Sequence, residues 1–322
     1  MSLPRTVLIT GAGGFIGRHL HDRLTASGVT VRGVDLVADP SRGTTLGDTL
    51  DPWRWAHLLE GVDAVIHTAA VVSNVAPLEE AWQVNVLATR NVMTVATQAG
   101  VDHFVHVSSI AAFGEDFPDQ VTEQHPPHLT GHSYADTKIN GEAVVLAAHA
   151  AGEIDCTIVR PGDVYGPGSR PWVLIPLQLI RSHQAILPDG GRGIFSPTYI
   201  DNLVDGVELV LATRAARGQI FTLTDGVGVS CWEYFSRLAD LVGGRLYSLP
   251  TPLARSLALS VGSATRALGR ESELGHASLG MLLRRGTYSI DKAREVLGYE
   301  PAVDLDEGMR RVAAWLRSEG MI

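Results

Sequence analysis

Cysteine is scarce in this chain: 322 residues contain only Cys156 and Cys231, far apart and in no CxxC pair. A disulfide framework or a zinc–thiolate site is therefore not expected, and a reducing, cytoplasmic setting fits. Long apolar runs are missing too. None reaches the roughly 18 residues that a membrane span needs. The sequence enters a strand-like run by Thr6, so no leader peptide is predicted. Positive charge is in deficit, with a net charge of −9 and a pI near 5.7. That balance argues against a nucleic-acid binder, which would need a basic face. There is no internal repeat and no low-complexity segment. What remains is an ordinary, slightly apolar composition, with 45% hydrophobic residues and a mean hydropathy of +0.11. The length suffices for one large α/β domain and a smaller lobe.

The N-terminal half alternates short β-branched runs with helical patterns. Strands are predicted at Thr6–Thr10, Val29–Val34, Ala64–His67, Phe104–Val107 and Cys156–Val159. Helices are predicted at Phe15–Ala26, Leu78–Ala99 and Ser133–Ala150. Apolar, non-alternating strands separated by helices imply a parallel sheet covered on both faces. After Arg160 a run of Pro and Gly breaks the alternation. Strand character returns at Ile194–Ile200 and Gln219–Thr224, and helices dominate from Trp232. The expected fold is α/β: a Rossmann-type doubly wound parallel sheet with a smaller, mostly helical C-terminal substrate lobe. Residues 1–165, with returns near 194–224, form the first domain in this reading. Residues 166–193 and 225–322 form the second.

Thr10-Gly11-Ala12-Gly13-Gly14-Phe15-Ile16-Gly17 lies between the first strand and the first helix. Glycines 11, 14 and 17 suit, in turn, a tight turn, a close approach to a pyrophosphate and tight helix–strand packing. The helix start then offers N–H groups and partial positive charge to phosphates. Asp35 ends the next strand, 24 residues beyond Gly11, near the ~20 expected of an acid that binds a ribose 2′-hydroxyl. A carboxylate there would repel a 2′-phosphate, so NAD is predicted over NADP; Arg32, on the same strand, pulls the other way. In Ser133-Tyr134-Ala135-Asp136-Thr137-Lys138, Tyr134 and Lys138 are four apart and share a helical face. A phenol is a poor base at neutral pH, and a nearby ammonium together with a cationic nicotinamide favours the phenolate.

By these motifs the chain resembles the extended short-chain dehydrogenase/reductase, or NAD-dependent epimerase/dehydratase, family along most of its length. Its features nearest the 3β-hydroxysteroid and sterol dehydrogenase-like branch are Thr287-Tyr288-Ser289-Ile290-Asp291-Lys292-Ala293 and Leu297-Gly298-Tyr299-Glu300-Pro301. The resemblance implies that Ser109, in Ser108-Ser109-Ile110-Ala111-Ala112-Phe113-Gly114, is catalytic beside Tyr134 and Lys138, with Ser108 the neighbour set aside. It implies that NAD is bound by Gly11, Gly13, Gly14, Phe15, Ile16, Gly17, Asp35, Asp48, Thr49, Thr68, Ala69, Ala70, Asn85, Val107, Tyr134, Lys138, Pro161, Gly162 and Val164. Within that set Asp48 would touch the adenine, and Asn85 would support the active-site helix or a water. Lys138 would hold the nicotinamide ribose. A homodimer built on Leu78–Ala99 and Ser133–Ala150, a small-molecule substrate and no metal are also implied.

Departures from the family pattern select a branch. The acid–acid pair of the dehydratases is replaced by Ile110 and Ala111. The arginine of an RDFVYVDD-like strand is missing from Ile194-Phe195-Ser196-Pro197-Thr198-Tyr199-Ile200-Asp201, leaving Arg170, Arg181 or Arg192 as substitutes. Net oxidation or reduction of a secondary alcohol or ketone, on an apolar or hydroxysteroid-like substrate, is therefore the leading reading. An NAD-dependent sugar-nucleotide epimerase is the alternative. A non-catalytic cofactor sensor is opposed by Ser109, Tyr134 and Lys138 standing together.

Four smaller readings complete the pass. Leu253, Leu257, Val261, Ala264 and Leu268 form an apolar helical stripe, with Arg255, Arg266 and Arg270 off it. That stripe suits a substrate lid, a membrane-surface contact or plain packing within the lobe. His125, His128 and His132 fit a surface loop, and His103 and His106 a structural role. Trp53 and Trp55 are expected to pack a short helix. Glu79 and Glu80 read as a solvated helix start.

Overall fold

Strand runs rich in Val and Ile place alternate side chains on opposite faces of a sheet, and both faces are buried here. The computed structural model describes residues 2–269 and 276–322. In chain order the first elements are β1 (Thr6–Thr10), α1 (Phe15–Ala26), β2 (Thr30–Asp35), β3 (Thr44–Leu46) and β4 (Ala64–His67). Next come α2 (Leu78–Trp82), a π-turn (Gln83–Ala88), α3 (Thr89–Gln98), β5 (His103–Val107), α4 (Ser133–Ala150) and β6 (Asp155–Pro161). The third group is β7 (Asp163–Tyr165), α5 (Ile175–Arg181), β8 (Ile186–Pro188), β9 (Ile194–Phe195), β10 (Pro197–Tyr199), α6 (Ile200–Ala212) and β11 (Ile220–Leu223). The last is β12 (Val229–Ser230), α7 (Cys231–Leu241), β13 (Tyr247–Leu249), α8 (Thr251–Ala267), α9 (His276–Met281), α10 (Asp291–Leu297) and α11 (Leu305–Ser318).

Seven parallel strands form one sheet in the order β11-β6-β5-β4-β1-β2-β3. This is a doubly wound parallel sheet, as expected from the sequence, with β11 at the edge beyond β6. Val7, Ile9, Ile66, Val105 and Val159 face a core shared with Leu20 and Leu24 of α1 and Leu203 and Val207 of α6. Leu8, Val65, Phe104 and Ile158 face the other way, onto Val92, Val95 and Val145 of α3 and α4. The strand order reverses between β1 and β4, so a crevice opens at the carboxyl ends of those strands, where folds of this kind bind ligands.

Several local expectations are corrected. The apolar run Ile194–Ile200 is not one strand: β9 and β10 pair with different partners, and α6 already begins at Ile200. Pro197 and the bond from Ser196 N–H to the Asp163 carboxylate (2.9 Å) separate the two pieces. The helical stretch after Leu78 contains the π-turn Gln83–Ala88, which puts Asn85 in an expanded turn of the kind often found at functional sites. Trp55 is buried beside short 3₁₀ turns, whereas Trp53 lies exposed.

On α8 the leucine stripe faces outward. Leu253 is 59% and Leu268 76% exposed, and Leu257 and Val261 are exposed as well. Ala254 and Ala258 form the buried side instead. A helix that packs closely needs small residues at the contact, and these alanines supply them. Arg270 and the side chain of Arg266 lie outside the described residues. Among the described residues no helix is long and apolar enough to cross a membrane.

The C-terminal segment is fastened to α6 by one buried amide. Asn202 Nδ2 donates to Val303 O (2.8 Å) and to Asp225 (2.7 Å), while its Oδ1 accepts from Val303 N–H (3.0 Å). Truncation would strand several buried polar groups at once. Asn202→Ala is expected to cost about 3 kcal/mol in urea-induced unfolding; a change under about 0.5 kcal/mol would contradict this role.

Candidate active site

The loop after β1 is shaped by how closely its backbone approaches its neighbours. Gly11 has φ +72°, and a Cβ there would lie 2.7 Å from Ala69 N in the loop after β4. At Gly17 a Cβ would stand 2.2 Å from Gly11 O, so helix α1 can seat itself against the loop only with glycine at that position. Gly13 and Gly14 are exposed, and no side chain caps α1. Phe15 and Ile16 begin the helix and pack partly against the core. Gly13 N–H donates to the Asp35 carboxylate (2.9 Å), so the acid at the end of β2 leans over the glycine loop.

Arg32 turns away from this place. Its guanidinium donates to Leu58 O (2.6 Å) and Glu60 O (2.7 Å). An uncapped helix start, two exposed glycines and a carboxylate at the second strand end together fit the phosphates and ribose of NAD.

The other residues singled out from the sequence gather at the same sheet edge. Asp48 is exposed and accepts from Leu50 N–H (2.9 Å), and Thr49 beside it is buried. Thr68 donates to Thr10 O (2.7 Å), binding the β4 loop to the β1 loop, with Ala69 and Ala70 following half-buried. Asn85 is 2% exposed and fully engaged: its Oδ1 accepts from Val71 N–H (2.8 Å), and its Nδ2 donates to Val71 O (3.1 Å) and Thr137 Oγ1 (2.9 Å). It thus clamps the β4 loop to α4. Pro161 ends β6, Gly162 follows, and Val164 sits in β7.

Helix α4 carries Tyr134 and Lys138. Lys138, buried, donates from Nζ to Val107 O at the end of β5 (2.8 Å). Burial lowers its pKa to about 8, and the Glu142 carboxylate opposes that fall. Burial raises the Tyr134 phenol; a hydrogen bond with Ser109 opposes this, and the Asp163 carboxylate adds to the rise. The chain's own groups therefore do not supply the lowered phenol expected from the Tyr–Lys spacing. The Lys138 ammonium is directed at a backbone carbonyl, and burial outweighs the Ser109 hydrogen bond at the phenol. Ser109 caps the 3₁₀ turn Ile110–Phe113 and accepts from Ala111 N–H (3.1 Å) while bonded to Tyr134. Ser108 is occupied elsewhere, donating to Glu142 Oε1 (2.6 Å).

Two buried ion pairs flank this constellation, and the sequence reading singled out neither. Arg160 grips Glu142 through Nε (2.8 Å) and an NH2 group (2.7 Å). Arg284 pairs with Asp163, and its Nε donates to Met281 O (3.0 Å). A signal for Glu142 was present: it follows Lys138 by four residues, as Lys138 follows Tyr134. His67 lies between Thr10 Oγ1 (2.7 Å) and Thr89 Oγ1 (3.0 Å), and burial lowers its pKa to about 3. His106 is likewise held well below the ordinary range. Both stay neutral at physiological pH. His128 is exposed, and His125 and His132 are half-buried on the loop before α4.

Residues 7–223 match the model of the NAD dependent epimerase/dehydratase family. A 4-hydroxy-2-methyl-3-oxo-4-farnesyl-3,4-dihydroquinoline-1-oxide ketoreductase from Stigmatella aurantiaca is 31% identical, over 94% of this chain and 93% of that protein. The 3beta-hydroxysteroid-dehydrogenase/decarboxylase isoform 1 of Arabidopsis thaliana is 28% identical, over 95% and 78%. Among solved structures, MoeE5 in complex with UDP-glucuronic acid and NAD is 27% identical, superposes with a TM-score of 0.79, and aligns over 98% of this chain and 99% of its own.

Asp35 at the glycine loop predicts a cofactor preference. In fluorescence titrations NADH should bind at least about tenfold more tightly than NADPH, a difference of about 1.4 kcal/mol. Tighter NADPH binding would contradict the role given to Asp35.

Proposed function

The chain belongs to the NAD-dependent epimerase/dehydratase family, and from that premise we propose that it interconverts a secondary alcohol and a ketone on an apolar substrate in net redox turnover. The observation that carries this reading is the meeting of Ser109, Tyr134 and Lys138 at the carboxyl ends of β5 and α4's first turns, beside the glycine loop. When bound, NAD supplies the nicotinamide carbon that gives or takes the hydride. Gly11 to Gly17 and Asp35 would hold it, with Asp48, Thr49, Thr68, Ala69, Ala70, Pro161, Gly162 and Val164 around the same edge. In the reductive direction Tyr134, whose phenol is held protonated, gives its proton to the ketone oxygen. Ser109 hydrogen-bonds that oxygen and fixes the angle of approach. Lys138, seated on Val107 O, places a positive charge behind the phenol and stabilises the phenolate left by proton transfer.

The apolar substrate class is supported by the named activities of the Stigmatella and Arabidopsis relatives. It is also supported by what the site lacks for sugar-nucleotide binding and dehydration. Ile110 is buried where dehydratases carry an acid, and Ser196 is buried with its N–H committed to Asp163. Arg192 is bonded to Asp189, and Arg181 to the Met321 carbonyl. The second reading, a sugar-nucleotide epimerase, is favoured by the likeness to MoeE5, solved with a UDP-sugar acid and NAD. We place the protein in the cytoplasm, in keeping with its two free, buried cysteines. A homodimer through α2–α3 and α4 is supported by the exposed Leu78, Leu87 and Leu146 on those helices.

Tyr134→Phe tests the assignment. With an apolar ketone and NADH, kcat should fall by at least about 10²-fold, with NADH affinity within about twofold of the parent. Undiminished turnover in this variant would overturn the mechanism.

A further inference from the structure

We propose that the buried Glu142–Arg160 pair is a positioning device that fixes the Ser109 segment to the helix bearing Tyr134 and Lys138. The proposal deepens the reading above and rests on it. Both side chains are almost wholly buried, with Glu142 3% and Arg160 1% exposed. Replacing a buried ion pair by well-packed apolar residues of similar volume is often neutral or stabilising, because two charges have been taken out of water. Stability alone therefore does not explain this pair. Its contacts suggest what does.

The pair reaches the Ser109 segment from both ends. On one side Ser108 Oγ donates to Glu142 Oε1 (2.6 Å), the oxygen that also accepts from Arg160 Nε (2.8 Å). On the other, the Arg160 guanidinium lies 4.6 Å above the ring of Phe113, the last residue of the 3₁₀ turn that Ser109 caps. Arg160 NH1 has no hydrogen-bond partner among the described residues, so the aromatic face is what that side of the cation meets. Ser109 thus stands between two anchored points, residues 108 and 113, and both anchors end on one carboxylate–guanidinium unit. That unit is rooted in α4 at Glu142 and in β6 at Arg160.

The second effect runs along α4. Tyr134, Lys138 and Glu142 recur every four residues and share one face. Glu142 is the carboxylate one turn beyond the Lys138 ammonium, and it opposes the fall that burial imposes on that group. With Lys138 titrating near 8, its ammonium is present below that pH and lost above it. Removing Glu142 takes away the opposing influence, so the loss begins at lower pH.

Two variants separate these effects. Glu142→Gln/Arg160→Met removes both charges together, so neither is left alone in the interior, and the amide still offers Ser108 an acceptor. Ser108→Ala deletes only the hydrogen bond. Each is assayed for ketone reduction across pH, for NADH affinity and for melting temperature. In the parent, kcat should fall as pH rises through about 8. In the double variant that limb should move toward acid. In Ser108→Ala the limb should stay in place while kcat drops about tenfold or more, with NADH affinity and melting temperature unchanged. If both variants fold and keep the parent's kcat and limb, the proposal is wrong. It is equally wrong if activity falls only in step with melting temperature while the limb stays put, since the pair would then be a simple cross-link. Should the double variant fail to fold, Ser108→Ala decides the matter: parental kcat there overturns the positioning role. Tyr134→Phe, run beside them, distinguishes failure of the underlying reading, because only that failure leaves Tyr134→Phe active.

Discussion

The hydrogen bond from Lys138 Nζ to Val107 O, 2.8 Å long and buried, is the interaction on which the rest of the site depends. It brings the positive end of a four-carbon side chain to the carboxyl end of β5. Helix α4 must therefore lie close over that strand. Gly141 makes this possible one turn on, where a Cβ would come within 2.8 Å of Asn85 O. Once α4 is seated, Tyr134 stands beside Ser109, and Thr137 meets the amide of Asn85. The β4 loop is then fixed by Asn85 and, through Thr68, joined to the glycine loop. The glycine loop and the first turns of α4 are thus parts of one hydrogen-bonded frame built on the ends of β1, β4 and β5.

That frame also accounts for the electrostatics. A lysine removed from water loses part of its hold on its proton, and a partly desolvated phenol keeps its own more firmly. The chain alone holds Tyr134 as an acid, which suits giving a proton to a ketone oxygen. Oxidation of the alcohol needs the phenolate, and the positive charge of the oxidised nicotinamide is the element of the family chemistry that favours it.

What was legible in the sequence was what local spacing encodes. The glycine loop, Asp35 and the Tyr134–Lys138 step are short-range patterns with direct steric or helical meaning, and the strand and helix runs fixed the parallel sheet. The two buried ion pairs were not legible, because Arg160 meets Glu142 across 18 residues and Arg284 meets Asp163 across 121. Charge type says nothing about such pairings. On α8, periodicity identified an apolar stripe correctly yet not which side it faces. Close packing favoured the alanines, Ala254 and Ala258, over the leucines. The run Ile194–Ile200 misled for a related reason: its composition suits a strand, but Pro197 and the Asp163 carboxylate divide it.

The central claim is net hydride transfer, as opposed to oxidation and re-reduction on a retained cofactor. The most direct measurement supplies NADH carrying two deuterium atoms at the nicotinamide C4 position together with an apolar ketone, and reads the product by mass spectrometry and NMR. The account predicts stoichiometric deuterium on the carbinol carbon, with a matching loss of NADH absorbance. A product without deuterium and no net NADH consumption, alongside turnover of a nucleotide sugar on tightly held NAD, would contradict it.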